Sequence, residues 1–343
     1  MKVGMVYHPV YLEHDTGQHP ENAGRLESIL ALLEQSGVKE QLVQIPALPA
    51  STDDLLSVHS AAHVSQIEAA ARSGGGWLDA DTVVSPRSHE AALYAAGGLL
   101  QATGAVVKGD VNSAFALVRP PGHHSTRTDA MGFCLFNNIA VAARQAISKH
   151  GLSRVFIADF DVHHGNGTQD IFYDDPAVFF FSVHQSPLYP GTGRIAEIGI
   201  GKGAGTTANL PLPPGCGDGP YLEVFQQVLV PLAHRFRPEL ILVSAGYDGH
   251  WADSISYMQL TVSGFARMVS LLKQLADSLC QGRLVLTLEG GYHLHALPYS
   301  VKATFDVLLG GTGIDDPLGQ AAGRTKEPDT GAIIHQARQV HGL

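Results

Sequence analysis

The sequence is poor in cysteine, in charged residues and in long apolar runs. Its three cysteines, Cys134, Cys216 and Cys280, are far apart among 343 residues, and no Cys-x-x-Cys pair occurs. This spacing suggests neither a disulfide framework nor a structural zinc knot, and it favours a reducing compartment. No apolar run approaches the roughly 20 residues of a membrane-spanning helix, and the amino terminus is too short and polar for a signal peptide. We therefore expect a cytoplasmic protein with no membrane partner.

An excess of positive charge is also missing. The formal net charge is −10, with 16% charged and 45% hydrophobic residues. A negative balance argues against nucleic acid or an anionic membrane as the principal partner, and it suits a cationic or neutral substrate. The hydrophobic content and the length predict a globular chain with one large core.

What the sequence does contain is a regular alternation of strand and helix patterns. Apolar β-rich runs occur at 2–7, which looks like an edge strand, and at 113–118, 155–161, 178–183, 240–244 and 284–288. Helical spacing of apolar residues separates them, at 21–34, 51–72, 88–107, 137–150, 219–236, 261–279 and 298–309. This alternation predicts an α/β fold with a mostly parallel central sheet and helices on both faces.

No repeat, linker or low-complexity tract divides the chain. We predict a single domain over residues 1–343, with its core at about 5–310. The glycine- and proline-rich segment 199–214 is interpreted as a connection, and the tail 311–343 as irregular.

Polar clusters follow the carboxyl ends of four predicted strands, at 119–124, 159–166, 246–248 and 289–292. Open α/β sheets build their sites at this edge. Alternate residues of a strand share a face, so Asp159, Asp161 and His163 can point into one pocket. A salt-bridged strand end is a poor alternative, because no Lys or Arg lies nearby to pair with these side chains.

Asp161, His163 and Asp248 form a candidate metal site. Three protein ligands with an open fourth position are typical of catalytic zinc. Two carboxylates and one imidazole are a hard ligand set, which leaves ferrous iron, cobalt and manganese as alternatives.

Two further groups carry acid–base and electrophilic chemistry. His123 and His124 follow a rigid Pro-Pro-Gly turn, and histidine titrates near working pH, which suits a general acid–base pair. Tyr292, after two glycines at a strand end, is placed to donate a hydrogen bond to an oxyanion. Aromatic residues beside glycines, at 131–134 and 189–193, either wall a narrow slot or merely anchor loops. Cys134 is interpreted as a packing residue.

These motifs resemble the zinc-dependent histone deacetylase superfamily, which includes acetylpolyamine amidohydrolases and acetoin-utilisation proteins. The resemblance extends in order over about residues 5–310 and is nearest to the class II branch and its bacterial amidohydrolase relatives. The segments that carry it are RPPGHH (119–124), GFCLFNN (132–138), DFDVHHGNGTQD (159–170), YPGTG (189–193), NLPLPPG (209–215), SAGYD (244–248) and LEGGY (288–292).

The resemblance implies an arginase–deacetylase fold and one catalytic Zn²⁺ on Asp161, His163 and Asp248. It implies that His124 acts as general base and then acid, with His123 as its electrostatic helper.

The same resemblance implies partners for these side chains. Asp159 would support His123, and Asn166 would face His124, leaving it less basic than an aspartate would. Tyr292 would polarise the scissile carbonyl. The acyl-lysine tunnel would be lined by Gly132, Phe133 and Tyr189.

Structural potassium is also implied by the resemblance, at two sites. The first would use Asp159, Asp161, His163, Ser182 and Val183. The second, more distant site would use Phe172, Asp175 and Val178.

The expected reaction is hydrolysis of N-acetyl amides on acetyl-lysine or on an acetylated polyamine. An arginase-type hydrolase with two manganese ions and a non-enzymatic reader or scaffold are the alternatives. The run 249–254 departs from the usual family pattern beside the expected tunnel mouth, which leaves substrate choice open. In the segment 73–81, Asp79 or Asp81 is a candidate rim acid, and a solvated loop acid is the default interpretation. The sequence also leaves the oligomeric state open.

Overall fold

The structure is a computed structural model that describes residues 1–323 and 325–343. Its strands β1–β10 are Val3–Val6, Val43–Ile45, Gly76–Trp77, Val83–Val84, Ser113–Ala116, Val155–Asp159, Val178–Gln185, Thr207–Leu212, Leu240–Ala245 and Leu284–Leu288. Its helices α1–α11 are Gly24–Gln35, Thr52–Leu56, Ala61–Arg72, Ser88–Lys108, Asn138–Ser148, Asn166–Phe172, Asp218–Val224, Val230–Phe236, Val262–Leu279, Ala296–Leu309 and Gly331–His341. A π-helical turn, Phe225–Leu229, joins α7 to α8.

Eight strands form one parallel sheet in the order β2-β1-β5-β10-β9-β6-β7-β8, and β3 and β4 form a separate antiparallel hairpin. Every residue of β5, β6, β7, β9 and β10 is buried, so both faces of the sheet are covered. Strands buried on both faces read as continuous apolar runs, which is how the sequence presents them. The predicted α/β architecture is confirmed.

Helix α9 is positioned by one apolar face and a capping residue. In α9, Phe265, Met268, Val269 and Leu272 are buried at helical spacing. The helix begins after Thr261, whose hydroxyl accepts the Gly264 N–H. Among the described residues, no helix is both long enough and apolar enough to cross a membrane.

Three sequence-based expectations about the sheet and the tail were wrong. The segment 199–214 is not only a connection, because it contains strand β8, Thr207–Leu212. Its Pro211 is tolerated because β8 is an edge strand, where a missing N–H breaks no ladder. Conversely, β1 is not an edge strand, since the unpredicted strand β2 pairs with its outer side.

The tail 311–343 is not irregular throughout, since it ends in helix α11, Gly331–His341. This helix buries Ile334 and Ala337 and packs beside strand β8. Its last turn is held by Arg235, whose guanidinium donates to the His341 carbonyl. Polar residues on its outer face hide this short amphipathic pattern in the sequence.

Candidate active site

The four polar clusters meet at the carboxyl edge of the parallel sheet. Asp159 ends β6, in register with Ser244 on β9, and Glu289 directly follows β10. Parallel neighbours place their carboxyl ends side by side. Residues distant in sequence therefore share one buried site.

Asp161, His163 and Asp248 lie close enough to hold one ion. All three are buried, and their nearest ligand atoms lie within 4.8 Å of one another. His163 Nδ1 is 3.1 Å from Asp161 Oδ1 and 3.1 Å from Asp248 Oδ2. Asp248 Oδ2 is buried, and apart from this close approach of His163 Nδ1 no group of the described residues donates to it. A buried carboxylate oxygen left in this state fits a cation ligand.

The backbone leaves room for the two carboxylates by placing glycines against them. A Cβ atom on Gly290 would lie 2.2 Å from Asp248 Oδ2, and one on Gly246 would lie 2.0 Å from Asp161 Oδ2. Gly290 also donates its N–H to Asp161 Oδ2 at 2.8 Å. The glycines after β9 and β10 thus form a cradle that no larger residue would allow.

The electrostatics of the cluster also fit a divalent cation. Burial and the neighbouring Asp161 raise the pKa of Asp248 to about 6. Burial lowers the pKa of His163, but Asp161 and Asp248 outweigh it and raise the value to about 10. Two buried carboxylates therefore demand positive charge at this point, which a metal ion with an imidazole ligand would supply.

His123 lies between two carboxylates. Its Nδ1 is 2.9 Å from Asp159 Oδ2, and its Nε2 is 3.8 Å from Asp161 Oδ1. Burial opposes protonation, but these acids raise the pKa of His123 to about 10. His123 is therefore an imidazolium near neutral pH, as a neighbour of two acids should be.

His124 has the opposite environment. Its Nδ1 is 2.8 Å from Asn166 Oδ1, an uncharged partner that accepts the ring N–H. Burial and the positive charges of His123 and His163 hold the pKa of His124 well below its usual value. His124 is therefore neutral, with Nε2 left as a proton acceptor.

A cavity of about 210 Å³ opens beside these histidines. All three predicted tunnel residues line it, together with several residues that the sequence did not indicate. Its lining is Asp81, Pro121, His123, His124, Gly132, Phe133, His163, Leu188, Tyr189, Ile255, Gly290 and Tyr292.

The walls of this cavity are aromatic and closely packed. Tyr189 stands edge-on to His124 with ring centroids 5.2 Å apart, and Phe133 stands edge-on to Tyr292 at 5.9 Å. A Cβ atom on Gly132 would lie 2.4 Å from the His124 ring, and its φ of 55° favours glycine. The aromatic residues at 131–134 and 189–193 thus include cavity walls as well as loop anchors.

Tyr292 reaches this wall from the loop after β10. Burial and the nearby carboxylate of Asp248 raise its pKa well above the usual value, so the phenol stays protonated. The Arg25 guanidinium lies 4.9 Å from the ring centroid. The hydroxyl makes no hydrogen bond to the described residues, which leaves it available to a ligand.

Sequence reasoning missed a buried charged network beneath the site. Glu21 binds Arg25 at 2.9 Å and Arg119 at 2.5 Å, and all three side chains are fully buried. Arg25 donates to the carbonyls of Glu289 and Gly291. The only sequence signal was the presence of two arginines in otherwise apolar or loop segments.

Glu289 also has a role that the sequence did not specify. Its Oε2 accepts the N–H groups of Gly122 and His123 at 2.7 and 3.2 Å, and Oε1 accepts the Ser244 hydroxyl at 3.0 Å. Burial raises the pKa of this carboxyl to about 7. Glu289 thus ties the loop of the paired histidines to two strand ends.

The residues predicted to bind potassium lie in two places. Ser182 pairs with Asp159 across β6 and β7, and Val183 follows it. Phe172 ends α6 and Val178 begins β7, with Asp175 between them, ion-paired to Arg144. Potassium binding at either place stays a prediction.

The sheet and the site at its carboxyl edge define an α/β enzyme of the arginase–deacetylase fold. A crystal structure titled "Crystal Structure of HDA15 HD domain" superposes with a TM-score of 0.90 at 34% sequence identity, covering 99% of this chain and 94% of that one. The histone deacetylase domain model matches residues 19–308. The chain therefore belongs to the histone deacetylase family.

Two relatives show the range of this similarity. "Histone deacetylase 14, chloroplastic" of Arabidopsis thaliana is 40% identical over 97% of this chain and 83% of its own length. "Polyamine deacetylase HDAC10" of Homo sapiens is 42% identical over 84% of this chain and 44% of its own length. With the family, they make this protein a hydrolase that deacetylates acetylated substrates.

Proposed function

We propose that the protein hydrolyses N-acetyl amides on long aliphatic amines such as acetyl-lysine, with one zinc ion on Asp161, His163 and Asp248. The observation that carries this proposal is the buried three-ligand cluster beside a narrow cavity. The cavity is smaller than the roughly 300–1,000 Å³ of most small-molecule pockets. Such a space suits a slender alkyl chain that ends in an acetamide.

A zinc ion in this cluster would supply Lewis acidity, which lowers the pKa of a water molecule to about 7 and polarises a carbonyl. The protein's own groups perform the proton transfers. His124 accepts the proton of the attacking water at Nε2, since Nδ1 is committed to Asn166. The same proton then passes to the amine nitrogen as the carbon–nitrogen bond breaks, giving acetate and a free amine.

The charge that develops on the acetamide oxygen is met by two fixed groups. Tyr292 donates its hydroxyl to that oxygen, which its raised pKa keeps possible at neutral pH. His123 stays positively charged throughout because Asp159 and Asp161 hold its proton. The imidazolium thus stabilises the negative charge of the transition state without itself giving up a proton.

An acetylated polyamine is the second candidate substrate. Asp81 lines the cavity, and Asp79 lies in the same hairpin loop, so negative charge stands at the rim. A cationic amine tail would be attracted there. The 42% identity to a protein named as a polyamine deacetylase also favours this substrate.

One substrate panel tests the proposal and separates its two forms. Purified zinc-loaded protein would be assayed for acetate release from an acetyl-lysine peptide, acetylputrescine and acetylspermidine. Asp161→Ala serves as the inactive control. Release from the peptide supports the first form, release from the polyamines alone supports the second, and no release from any of them refutes the proposal.

The predicted potassium ions belong to this proposal as structural ions. Ser182 and Val183 lie on the strand beside Asp159, where a monovalent ion would stabilise the strand end under the metal ligands. Replacing potassium by a large organic cation in the buffer should then lower thermal stability.

A further inference from the structure

Asp253 connects two segments of the cavity wall. Its carboxylate is buried, with 4% of the residue exposed. Oδ2 accepts the N–H groups of Tyr292 and His293 at 2.6 and 3.1 Å, while Oδ1 accepts the Ile255 N–H at 3.2 Å. Both Tyr292 and Ile255 line the cavity. One carboxylate therefore holds two loops that approach the substrate space from different strands.

The main chain beside Tyr292 is held from two sides, by this carboxylate at the Tyr292 N–H and by Arg25, which donates to the Gly291 carbonyl. Tyr292 follows Gly290 and Gly291, and Gly291 has a φ of 116°, so the preceding backbone has little intrinsic preference. Residues 289–293 form no helix or strand. The Tyr292 side chain contacts the Phe133 ring edge-on and the Arg25 guanidinium, and neither of these contacts involves its main-chain N–H.

We infer that Asp253 is a positioning residue for Tyr292, which sets the distance of the phenol hydroxyl from the reacting carbonyl. Charge-assisted hydrogen bonds from a carboxylate to successive backbone N–H groups are strong and geometrically selective. Through Oδ1 the same residue also accepts the Ile255 N–H, so the distance between the Tyr292 wall and the Ile255 wall of the cavity is fixed. This inference rests on the proposed role of Tyr292 in acetamide hydrolysis.

Asp253→Asn is the informative variant because it keeps the size of the side chain. An asparagine carbonyl accepts N–H groups on one side only, and its amide NH₂ then faces a donor on the other. One of the two loops must therefore be released. Asp253→Glu keeps the charge but displaces both oxygens from the three N–H groups on a longer stem, and it serves as the second variant if the first fails to fold.

Glu239 provides a matched control. Its Oε2 accepts the N–H groups of Ser153 and Arg154 at 2.5 and 3.1 Å, the same arrangement that Asp253 makes with Tyr292 and His293. Glu239 lies at the amino ends of β6 and β9, at the opposite edge of the sheet from the metal ligands. Glu239→Gln should therefore remove the charge from a carboxylate that accepts two successive backbone N–H groups without disturbing the site.

A double-mutant cycle with Tyr292→Phe tests the inference. We expect Asp253→Asn to lower kcat by about 10- to 100-fold in the wild-type background, since small misplacements of catalytic groups cost that much. In the Tyr292→Phe background the same change should cost less than twofold, because the hydroxyl it positions is gone. Glu239→Gln should leave kcat within twofold in both backgrounds. An equal loss from Asp253→Asn in both backgrounds would overturn the inference.

Hydrogen–deuterium exchange gives a readout that does not need activity. In metal-free and zinc-loaded protein alike, Asp253→Asn or Asp253→Glu should speed exchange in peptides that cover 253–257 or 290–294, with zinc content unchanged. Exchange equal to wild type in both peptides would refute the inference that Asp253 holds the two loops. If wild-type protein instead hydrolyses no acetamide, the proposed function fails while this exchange result still tests the link.

Discussion

The buried ion pairs of Glu21 lead to a stability prediction that can be worked from the structure. Glu21→Gln leaves Arg25 and Arg119 buried beside a neutral amide, and breaking one partner of a buried pair costs about 3–5 kcal/mol. Unfolding entropy is about 2.1 cal/mol/K per residue. The unfolding entropy of the 343-residue chain is therefore roughly 0.7 kcal/mol/K. The midpoint of thermal unfolding should fall by about 4–7 °C at neutral pH.

The pH dependence of this difference checks the cause. Burial would raise the pKa of Glu21, but Arg119 and Arg25 prevail and hold it well below its usual value. A carboxyl whose pKa is lowered by folding contributes stability above its unfolded value, here near 4.5, and loses it as the pH falls. The gap between wild type and variant should therefore narrow from pH 6 to pH 3.

Differential scanning calorimetry across this pH range makes the measurement. Glu34→Gln is the control, since Glu34 makes one 2.8 Å pair with Lys39 at the surface, and its loss should not shift the midpoint measurably. If Glu21→Gln unfolds at the wild-type midpoint at pH 6, or if the difference in midpoint widens in acid, the buried ion pairs of Glu21 do not stabilise the fold.

Three further predictions concern the reaction. Tyr292→Phe should lower kcat by about 100- to 1,000-fold while zinc content stays at one per chain, because one hydrogen-bond donor to the oxyanion is lost. Steady-state kinetics together with metal analysis would measure this loss, and an unchanged kcat would exclude Tyr292 as that donor. Asn166→Asp should raise the pKa of His124 and move the acid limb of the kcat/KM profile to higher pH; an unmoved limb would mean that His124 is not the titrating base. Asp81→Asn should lower kcat/KM for acetylspermidine by about two- to fivefold at low salt and leave a neutral acetamide unaffected; equal losses would argue against a rim charge effect.

The strands and the grouping of Asp161, His163 and Asp248 could be predicted from the sequence because both follow local rules. Apolar runs such as 155–159 identify buried parallel strands, and side chains at their carboxyl ends meet by topology alone. Asp161 and His163 follow one such run, and Asp248 follows another. The three-ligand cluster needed no long-range information beyond the order of the strands.

The charged network and the positioning residue could not be predicted in this way. Arg25 and Gly291 are separated by 266 positions, and Arg119 and Glu21 by 98, so neither pairing leaves a periodic signal. Asp253 stood in a run that departs from the family pattern, with nothing in the sequence to connect it to Tyr292. Such contacts depend on how loops fold over the sheet edge.

The strands and the helix that the sequence missed are short or lie at the periphery. Strand β8 contains a proline and lies at the sheet edge, and α11 buries only a few apolar residues against it. Both elements are defined by tertiary packing, since isolated short helices and edge strands have little stability of their own.

The most direct test of the account is the metal content of the protein in relation to its deacetylase activity. Elemental analysis of wild type, Asp161→Ala and Asp248→Ala should find one zinc per chain in the first and far less in the other two, with acetate release falling in parallel. Zinc-free wild type that releases acetate at the full rate, or variants that lose the metal and keep their activity, would contradict it.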